Sequence, residues 1–412
     1  MAHPAAPPHA TTALVLTGGG ARAAYQVGAL QAIAALRAAC GERHGPSPFA
    51  ILTGTSAGAI NAAALASGAD QFDHSVRRIA RVWASFHAQQ VYHADYLNVL
   101  RRGAHWLTLL SLGWALTRWH HMHPHSLLNN APLAQLLEQL VPLARVPHLI
   151  HAGYLRALAV TASSYSSGQH VAFFDAGDAQ QPWAHTLRKS VRGPITHAHL
   201  LASSAIPLVF PAAPLAIDGH TEFFGDGSMR ETSPLAPAIH LGAERLLVVG
   251  TSRAYAAPPP CAAGTQQPYP ALSLVAGHAL SNIFLDALAV DINHVQHINH
   301  VLSLLTPEQR GQVPLRPLQL LVLQPSQSLD ELAARHVCEL PRTIRALLNT
   351  LGMHVDRPDG GNGALASYLL FEHGYTRALM ALGRADTLAR RAEVCAFFGW
   401  HDRGNPVRLP SY

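Results

Sequence analysis

The sequence predicts an α/β/α fold of three layers, with a largely parallel central sheet and a helical C-terminal extension. Two short apolar runs near the N-terminus, Ala13–Thr17 and Phe49–Thr53, each lead into glycines, which is the pattern of a buried parallel strand. A helical stretch without proline follows each glycine turn. A strand, a glycine turn and a helix therefore occur twice in succession, as they do in folds whose helices cover both faces of a sheet.

The composition predicts a protein with a large buried core. Of the 412 residues, 49% are apolar and 13% are charged, against about 25% charged residues in an average globular protein. The net charge of +5 comes almost wholly from arginine, because Lys189 is the single lysine. No basic run is interleaved with aromatic residues, so we expect no nucleic-acid partner.

The cysteines and the N-terminus predict a cytoplasmic location. Cys40, Cys261, Cys338 and Cys395 are far apart and form no CxxC pair, which favours free thiols in a reducing compartment. The first 12 residues hold no apolar core flanked by basic residues, so no signal peptide is evident.

The segment Trp106–Trp119 allows two interpretations. Its 14 residues are largely apolar, but a membrane-spanning helix needs about 20 such residues. Its tryptophans at positions 106, 114 and 119 suit an interfacial helix, because indole prefers the headgroup boundary. A helix that is buried or lines a pocket is the alternative. Peripheral contact with a membrane therefore stays open beside a purely cytoplasmic location.

Further apolar runs extend the sheet and set the domain limits. The runs predicted as strands are Ala157–Thr161, His170–Phe174, Glu222–Phe224, Leu246–Gly250 and Leu318–Leu323. Asp218-Gly219 between two apolar stretches predicts a hairpin turn, because this pair tolerates positive φ. We expect a disordered leader at 1–11, an α/β domain at 12–255 and a mainly helical extension at 256–412, with a proline-rich loop at the last boundary.

Gly54-Thr55-Ser56-Ala57-Gly58 is a GxSxG pentapeptide between a predicted strand and a predicted helix. In that position the motif indicates a nucleophile elbow, in which the serine sits on a strained turn and the glycines let helix and strand approach closely. The N-terminus of the following helix adds a positive electrostatic end where an oxyanion will form. Ser56 is therefore the candidate nucleophile, and a purely structural turn is the alternative.

Gly18-Gly19-Gly20 also joins a predicted strand to a predicted helix. Three consecutive glycines suit a phosphate cradle, in which bare amides point at an anion. They also suit an oxyanion hole, in which the same amides stabilise a tetrahedral intermediate. The cradle lacks GK[ST] and GxGxxG spacing, and the elbow serine one βα unit later favours the oxyanion hole. A tight turn without a chemical role is the third alternative.

The base that would activate Ser56 is harder to assign from the residues alone. In the usual α/β-hydrolase order an acid and then a histidine follow the serine, but the presence of 27 histidines makes that search uninformative. Gly225-Asp226-Gly227 follows the strand-like run Glu222–Phe224 directly. A carboxylate at a strand end between glycines can approach a serine hydroxyl without obstruction, so Asp226 is the candidate base.

Four blocks of this sequence together resemble the patatin-like phospholipases, and bacterial members of that family in particular. The blocks are GGGAR at 18–22, GTSAG at 54–58, ASSAIPLVFP at 202–211 and GDGSMRETSP at 225–234. Two departures are small: Ala23 stands where the family usually has glycine, and Ser228 stands where glycine or alanine is usual. Asp359-Gly360-Gly361 matches the family's DGG literally, but no strand precedes it, and Asp226 is preferred.

The resemblance implies a serine lipid acyl hydrolase of the phospholipase A type that uses a Ser–Asp dyad without histidine. Ser56 would attack the ester carbonyl and form an acyl-enzyme, and Asp226 would serve as its base. Amides of the Gly18–Gly20 loop and of Ala57 would hold the oxyanion. Arg22 would contact a lipid phosphate or, as an equal alternative, stabilise the loop. The reaction needs no cofactor and no metal, and the expected partner is an acyl lipid, in the first place phospholipid.

Two other functions stay open from the sequence. A histidine-assisted esterase acting on small or neutral esters would use one of the 27 histidines in place of Asp226. A non-catalytic lipid-binding protein on the same fold would bind lipid without turnover. Histidines also crowd the stretch 120–125 and recur at His294, His297 and His300. Neither group has the carboxylate or cysteine pattern of a known metal site, so we expect no metal there.

Overall fold

The computed structural model describes residues 10–42, 46–92, 126, 128–253, 287–350 and 363–407. Its centre is one sheet, to which ten strands of the described chain belong. These strands are β1 (Thr12–Leu16), β2 (Ile51–Thr55), β3 (Ala157–Ser164), β4 (His170–Ala176), β5 (Ala184–His185), β6 (Arg188–Arg192), β7 (Ala213–Ile217), β8 (His220–Asp226), β9 (Arg245–Val249) and β10 (Gln319–Leu323).

Helices pack against both faces of this sheet. The earlier helices are α1 (Ala24–Ala39), α2 (Ala57–Ala66), α3 (Phe72–Ala84), α4 (Ala131–Leu140), α5 (Arg145–His151), α6 (His197–Ser203) and α7 (Ala236–His240). The later helices are α8 (Ala287–Leu304), α9 (Pro307–Arg310), α10 (Leu329–His336), α11 (Arg342–Thr350), α12 (Gly363–Leu369), α13 (His373–Ala389) and α14 (Arg391–Phe398). Short 3-10 turns occupy Gly20–Ala23, Ala69–Gln71, Ala88–Gln90, Gly227–Arg230 and Val337–Glu339.

The strand order is β10-β9-β1-β2-β3-β4-β6-β5, with β8 also paired to β3 and β7 paired to β8. The five strands from β10 to β3 are parallel to one another. In contrast, β4 runs antiparallel to β3, and β8 runs antiparallel to both β3 and β7. The short connections β3–β4 and β7–β8 allow only antiparallel neighbours, because a parallel pair needs a long crossover. The predicted fold class is confirmed, and the sheet as a whole is mixed.

The two faces of the sheet carry separate apolar layers, because successive side chains of a strand point to opposite faces. On one face, Leu14 and Leu16 of β1 pack with apolar residues of α1, α2, α3 and α13. On the other face, Val15 of β1 packs with Ala238 of α7 and Val295 of α8. Helix, sheet and helix thus form the three predicted layers.

The chain after residue 286 supplies part of this core. Strand β10 pairs with β9 at the edge of the parallel run, and α13 packs along α1. The approach of these helices is close: a Cβ on Gly28 would meet the carbonyl oxygen of Met380 at 2.1 Å, and one on Gly383 would meet that of Tyr25 at 2.2 Å. The predicted domain boundary at residue 256 stays a prediction, since 254–286 lie outside the described residues.

The predicted strands are all present, with ends that shift by no more than three residues. Asp218 and Gly219 form the turn between β7 and β8 with φ of 51° and 83°, and two positive φ values are what a two-residue hairpin turn requires. The sequence did not predict β5 and β6, which lie at the far edge of the sheet. These strands are short and polar, so no apolar run marks them.

Several predicted features lie outside the described residues. They are the leader up to residue 9, the Trp106–Trp119 segment, the histidines at 120, 121, 123 and 125, the loop around 256–270 and Asp359-Gly360-Gly361. In the parts of the chain that the structure describes, none of the helices combines the length and the apolar composition that crossing a bilayer demands.

Candidate active site

Strand β3 brings the ends of β2 and β8 to the same point of the sheet. Thr55, the last residue of β2, pairs with Thr161 in a parallel register. Asp226, the last residue of β8, pairs with Ala162 in an antiparallel register. Because β4 occupies the other side of β3, β2 and β8 share one side and approach each other end to end. Ser56, which follows β2 directly, therefore faces Asp226.

Ser56 occupies a strained turn between β2 and α2. Its φ of 55° and ψ of −130° lie outside the regions that L-residues favour. The flanking glycines permit the tight turn, because a Cβ on Gly54 would lie 2.5 Å from the carbonyl oxygen of Gly58. A Cβ on Gly58 would lie 2.3 Å from the carbonyl oxygen of Leu16. The strand, the strained turn and the helix predicted around the pentapeptide are thus all present.

The side chains of Ser56 and Asp226 form a buried hydrogen bond. Ser56 Oγ donates to Asp226 Oδ2 at 2.6 Å, within the short range typical of hydroxyl bonds to a carboxylate. Ser56 is 1% exposed and Asp226 is fully buried. In the described part of the chain, no histidine forms a hydrogen bond with either side chain. The candidate nucleophile and the candidate base therefore contact each other directly.

Burial raises the pKa of the Asp226 carboxyl to about 6. Desolvation of the charged form outweighs the hydrogen bonds that favour it, which come from the Ser56 hydroxyl and from Ser228, whose backbone amide lies 2.9 Å from Oδ1. A pKa near 6 leaves the carboxylate mostly ionised at neutral pH and more basic than an exposed aspartate. Both properties suit a group that removes a proton from a serine.

The glycine loop lies against Ser56 and the start of α2. A Cβ on Gly18 would come within 3.2 Å of Ser56 Cβ and 2.3 Å of Ser228 Oγ, so a side chain there would displace the Ser228 hydroxyl and crowd Ser56. Gly20 has a φ of 54° and lines a cavity together with Ser56 and Ala57. Ala57 is the first residue of α2, and the first amides of a helix have no partner within the helix. Backbone from two chain segments thus lies beside the Ser56 hydroxyl.

Contacts with later parts of the chain hold the glycine loop in place. A Cβ on Gly19 would overlap the side chain of Thr251, whose hydroxyl donates to a carbonyl of the same loop. Arg22 is buried, its Nε donates to Ser367 Oγ at 2.7 Å, and its guanidinium forms an ion pair with Asp330. These contacts are those expected if Arg22 stabilises the loop, whereas its contact with a lipid phosphate stays a prediction.

The block at 202–211 contacts both candidate residues, a role that sequence reasoning missed. The backbone amide of Ser56 donates to Ser203 Oγ at 2.8 Å, and that of Asp226 donates to the Ala205 carbonyl at 2.9 Å. Ser203 is fully buried at the end of α6. One segment therefore fixes the backbone of both residues. The sequence marked this segment only as one of the four blocks that carry the family resemblance.

Glu231, whose side chain is 10% exposed, is a second carboxyl near the elbow that sequence reasoning missed. Its Oε1 accepts a hydrogen bond from Thr55 Oγ1 at 2.5 Å and a longer one from Thr161 Oγ1 at 3.4 Å. His170 Nε2 lies 4.0 Å from the same oxygen. Burial, reinforced by the charge of Asp226, raises the pKa of Glu231 to about 7, while burial lowers that of His170 to about 4. The Glu231 carboxyl thus links the end of β2 to β3.

An apolar cavity opens beside the elbow and extends along α2. Together with the open solvent at its mouth, its empty space amounts to about 810 Å³. Ala57, Ile60, Asn61 and Ala64 line it, and this spacing places them on one face of the helix. Its other walls come mainly from α3, α4 and the segment after α6. Trp83 Nε1 donates to Asn61 Oδ1 at 2.9 Å, so this polar pair is satisfied within the wall and the cavity suits an apolar chain.

The histidines that the sequence singled out within the described residues lie on a helix that does not carry the elbow. His294, His297 and His300 are exposed on α8. That helix packs on the face of the sheet opposite to α2. Within the described residues, they take part in no group of metal-ligating side chains.

Comparisons with known proteins show which family model and which solved structure this chain resembles. A family model described as patatin-like phospholipase matches residues 14–239, which include all four blocks. No curated protein matches the chain. Among solved structures, the crystal structure of VipD from Legionella pneumophila is similar with a TM-score of 0.34 and 11% sequence identity, over 94% of this chain and 67% of that chain.

Proposed function

We propose a function on one premise: the chain belongs to the patatin-like phospholipase family, whose model matches more than half of its length. That family acts on lipid substrates, so the chain is a lipid acyl hydrolase in general terms. We propose that it cleaves carboxylic esters of phospholipids, a phospholipase A reaction, through a covalent acyl-enzyme. Ser56 is the proposed nucleophile and Asp226 the proposed base.

The proposed reaction begins with transfer of the Ser56 hydroxyl proton to the Asp226 carboxylate along their 2.6 Å hydrogen bond. Ser56 Oγ then attacks the ester carbonyl carbon, and the carbonyl oxygen gains a negative charge. Amides of the Gly18–Gly20 loop and of Ala57 stabilise that charge, assisted by the positive end of α2. The alcohol part of the lipid leaves with the proton from Asp226, and the acyl group stays on Ser56.

A water molecule releases the acyl group in the second half of the reaction. Asp226 accepts a proton from this water while the water oxygen attacks the acyl-enzyme carbonyl. The proton returns to Ser56 Oγ as the fatty acid leaves. The pKa of about 6 supports this double role, because the carboxylate is ionised at neutral pH and still basic enough to hold a proton transiently.

The apolar cavity beside Ser56 is the observation that carries the choice of a lipid substrate. Burial stabilises an acyl chain by about 0.8 kcal/mol for each methylene group, so the cavity favours long acyl chains over acetyl or butyryl groups. A hydrolase of small esters would not need a cavity that extends from Ala57 to Ala64. Because phospholipid is presented at a membrane surface, the proposal includes transient peripheral contact with that surface.

Fatty acid release from mixed phospholipid vesicles tests this proposal. Wild type should release fatty acid, Ser56→Ala should release none above background, and Ser85→Ala, which changes an exposed serine, should match wild type. Preference for a short neutral ester over phospholipid would favour the small-ester alternative. Vesicle binding without any release, and without covalent labelling of Ser56 by a fluorophosphonate, would favour the non-catalytic lipid-binding alternative.

A further inference from the structure

His87, Glu372 and His373 form a compact group outside the candidate active site. One possible ligand atom from each residue lies within 4.8 Å of the others, and His87 Nδ1 is 3.1 Å from Glu372 Oε2. No sequence motif marks the group, because 285 residues separate His87 from Glu372. We propose that these three side chains bind a divalent transition-metal cation of the zinc type, with water as the fourth ligand.

The spacing of the donor atoms fits a tetrahedral cation. Zinc binds imidazole nitrogen and carboxylate oxygen at about 2.0–2.2 Å, so neighbouring donors on a tetrahedron lie about 3.4 Å apart. The His87–Glu372 pair is already close to this separation. His373 has to approach by roughly an ångström, which a rotation of its exposed side chain can supply.

The two segments that carry the ligands are already held together by hydrogen bonds. Glu372 Oε1 accepts the backbone amide of Ala88 at 3.2 Å, which leaves Oε2 directed at His87. Thr376 Oγ1 donates to the Trp83 carbonyl at 2.6 Å and ties α13 to the end of α3. Hydrogen bonds that orient a ligating carboxylate are a regular part of metal sites. The site is therefore preorganised in its backbone, and only side chains have to rotate.

The Glu372 carboxylate is the group's electrostatic contribution to binding a cation. Glu372 supplies a negative charge at the N-terminal end of α13, where it offsets the positive end of the helix dipole. Arg377, one turn further along, donates its Nε to the Ala84 carbonyl at 2.8 Å. Each imidazole would bind the metal through a ring nitrogen lone pair.

A cation at this position would connect two walls of the apolar cavity. Phe86 precedes His87 and Phe371 precedes Glu372, and both phenylalanines line the cavity. Their ring centroids are 5.8 Å apart. A ligand that binds only the folded state stabilises that state, so the cation should raise the thermal midpoint of the protein and restrain this aromatic wall.

Titration of the chelator-treated 412-residue chain with Zn²⁺ at about pH 7.5 tests the proposal by calorimetry. Wild type should bind one equivalent of Zn²⁺, and this binding should require the side chains of His87, Glu372 and His373. His87→Ala and His373→Ala should each weaken that binding by about tenfold or more. His74→Ala removes an exposed histidine of α3 and serves as the matched control, with binding equal to that of wild type.

A second variant separates metal binding from the hydrogen bond that Glu372 accepts from the Ala88 amide. Glu372→Gln keeps an acceptor for the Ala88 amide and removes the charge, so it should weaken Zn²⁺ binding while its thermal midpoint without metal stays near that of wild type. Zn²⁺ should raise the midpoint of wild type and of His74→Ala more than that of His87→Ala. The proposal is overturned if wild type binds no stoichiometric Zn²⁺, or if all these variants bind it as tightly as wild type does.

Discussion

Substitution of Ala64 by phenylalanine should shorten the acyl chain that the enzyme accepts. Ala64 lies two turns from Ala57 on the face of α2 that lines the cavity, a distance of about 10 Å at about 1.5 Å per residue. An extended chain advances about 1.3 Å per carbon, since its staggered bonds are about 1.5 Å long, so about eight carbons span this distance. A phenyl ring at position 64 would therefore occupy the space of the carbons beyond.

The expected loss follows from the burial of those carbons. Displacing about four to six methylenes of a palmitoyl chain from the cavity costs roughly 3–5 kcal/mol at about 0.8 kcal/mol each. Because about 1.4 kcal/mol corresponds to a factor of ten, kcat/KM for palmitoyl esters should fall by roughly 100-fold to 4000-fold. Butyryl esters do not reach position 64, so their kcat/KM should change by less than about threefold.

A series of nitrophenyl esters from butyrate to palmitate measures this change in chain-length profile. Ala131→Phe, at an exposed alanine that begins α4, provides the matched control and should keep the wild-type profile. Circular dichroism and the thermal midpoint establish that each variant is folded. A folded Ala64→Phe variant with an unchanged palmitate-to-butyrate ratio would refute the assignment of this cavity to the acyl chain.

Three further predictions concern the pH profile, the elbow and the packing of α13. The kcat/KM should fall about tenfold per pH unit below about pH 6, because protonated Asp226 cannot act as base. A value of kcat/KM that stays constant down to about pH 4.5 would contradict the role of Asp226 as base. Glu231→Leu should lower kcat by roughly 10–100-fold, because loss of the hydrogen bond to Thr55 would displace the end of β2. Glu231→Gln keeps an acceptor for Thr55 and should retain most activity. Equal rates for the two variants would argue against a positioning role for Glu231. Gly28→Ala should lower the free energy of unfolding in urea by about 1–3 kcal/mol, because the added Cβ would meet the Met380 carbonyl. An unchanged urea midpoint would contradict the close contact between α1 and α13.

The strands and turns were predictable because their signals lie within a few residues of each other. Apolar runs that end in glycine mark β1 and β2, and Asp218-Gly219 marks the hairpin turn between β7 and β8. Ser56 and Asp226 were singled out in the same local way, each from a strand end with flanking glycines, and the resemblance of four blocks linked them into one site.

The remaining features depend on pairing between distant parts of the chain. Glu231 lies in a polar stretch of sequence, which is typical of a surface residue. Its hydrogen bond with Thr55 joins residues that are 176 positions apart. The ion pair of Arg22 with Asp330 spans 308 residues. No local pattern encodes either contact, because each follows from the sheet register and from the packing of later helices on the glycine loop.

The central claim is that Asp226 activates Ser56 as a nucleophile, and the rate of fluorophosphonate labelling tests it most directly. Wild type and Asp218→Asn, which changes an aspartate whose side chain is 72% exposed, should be labelled at Ser56 at the same rate. Labelling should be roughly 10²–10⁴-fold slower in Asp226→Asn and absent in Ser56→Ala. Labelling of folded Asp226→Asn at the wild-type rate, or labelling of wild type at a different serine, would contradict the claim.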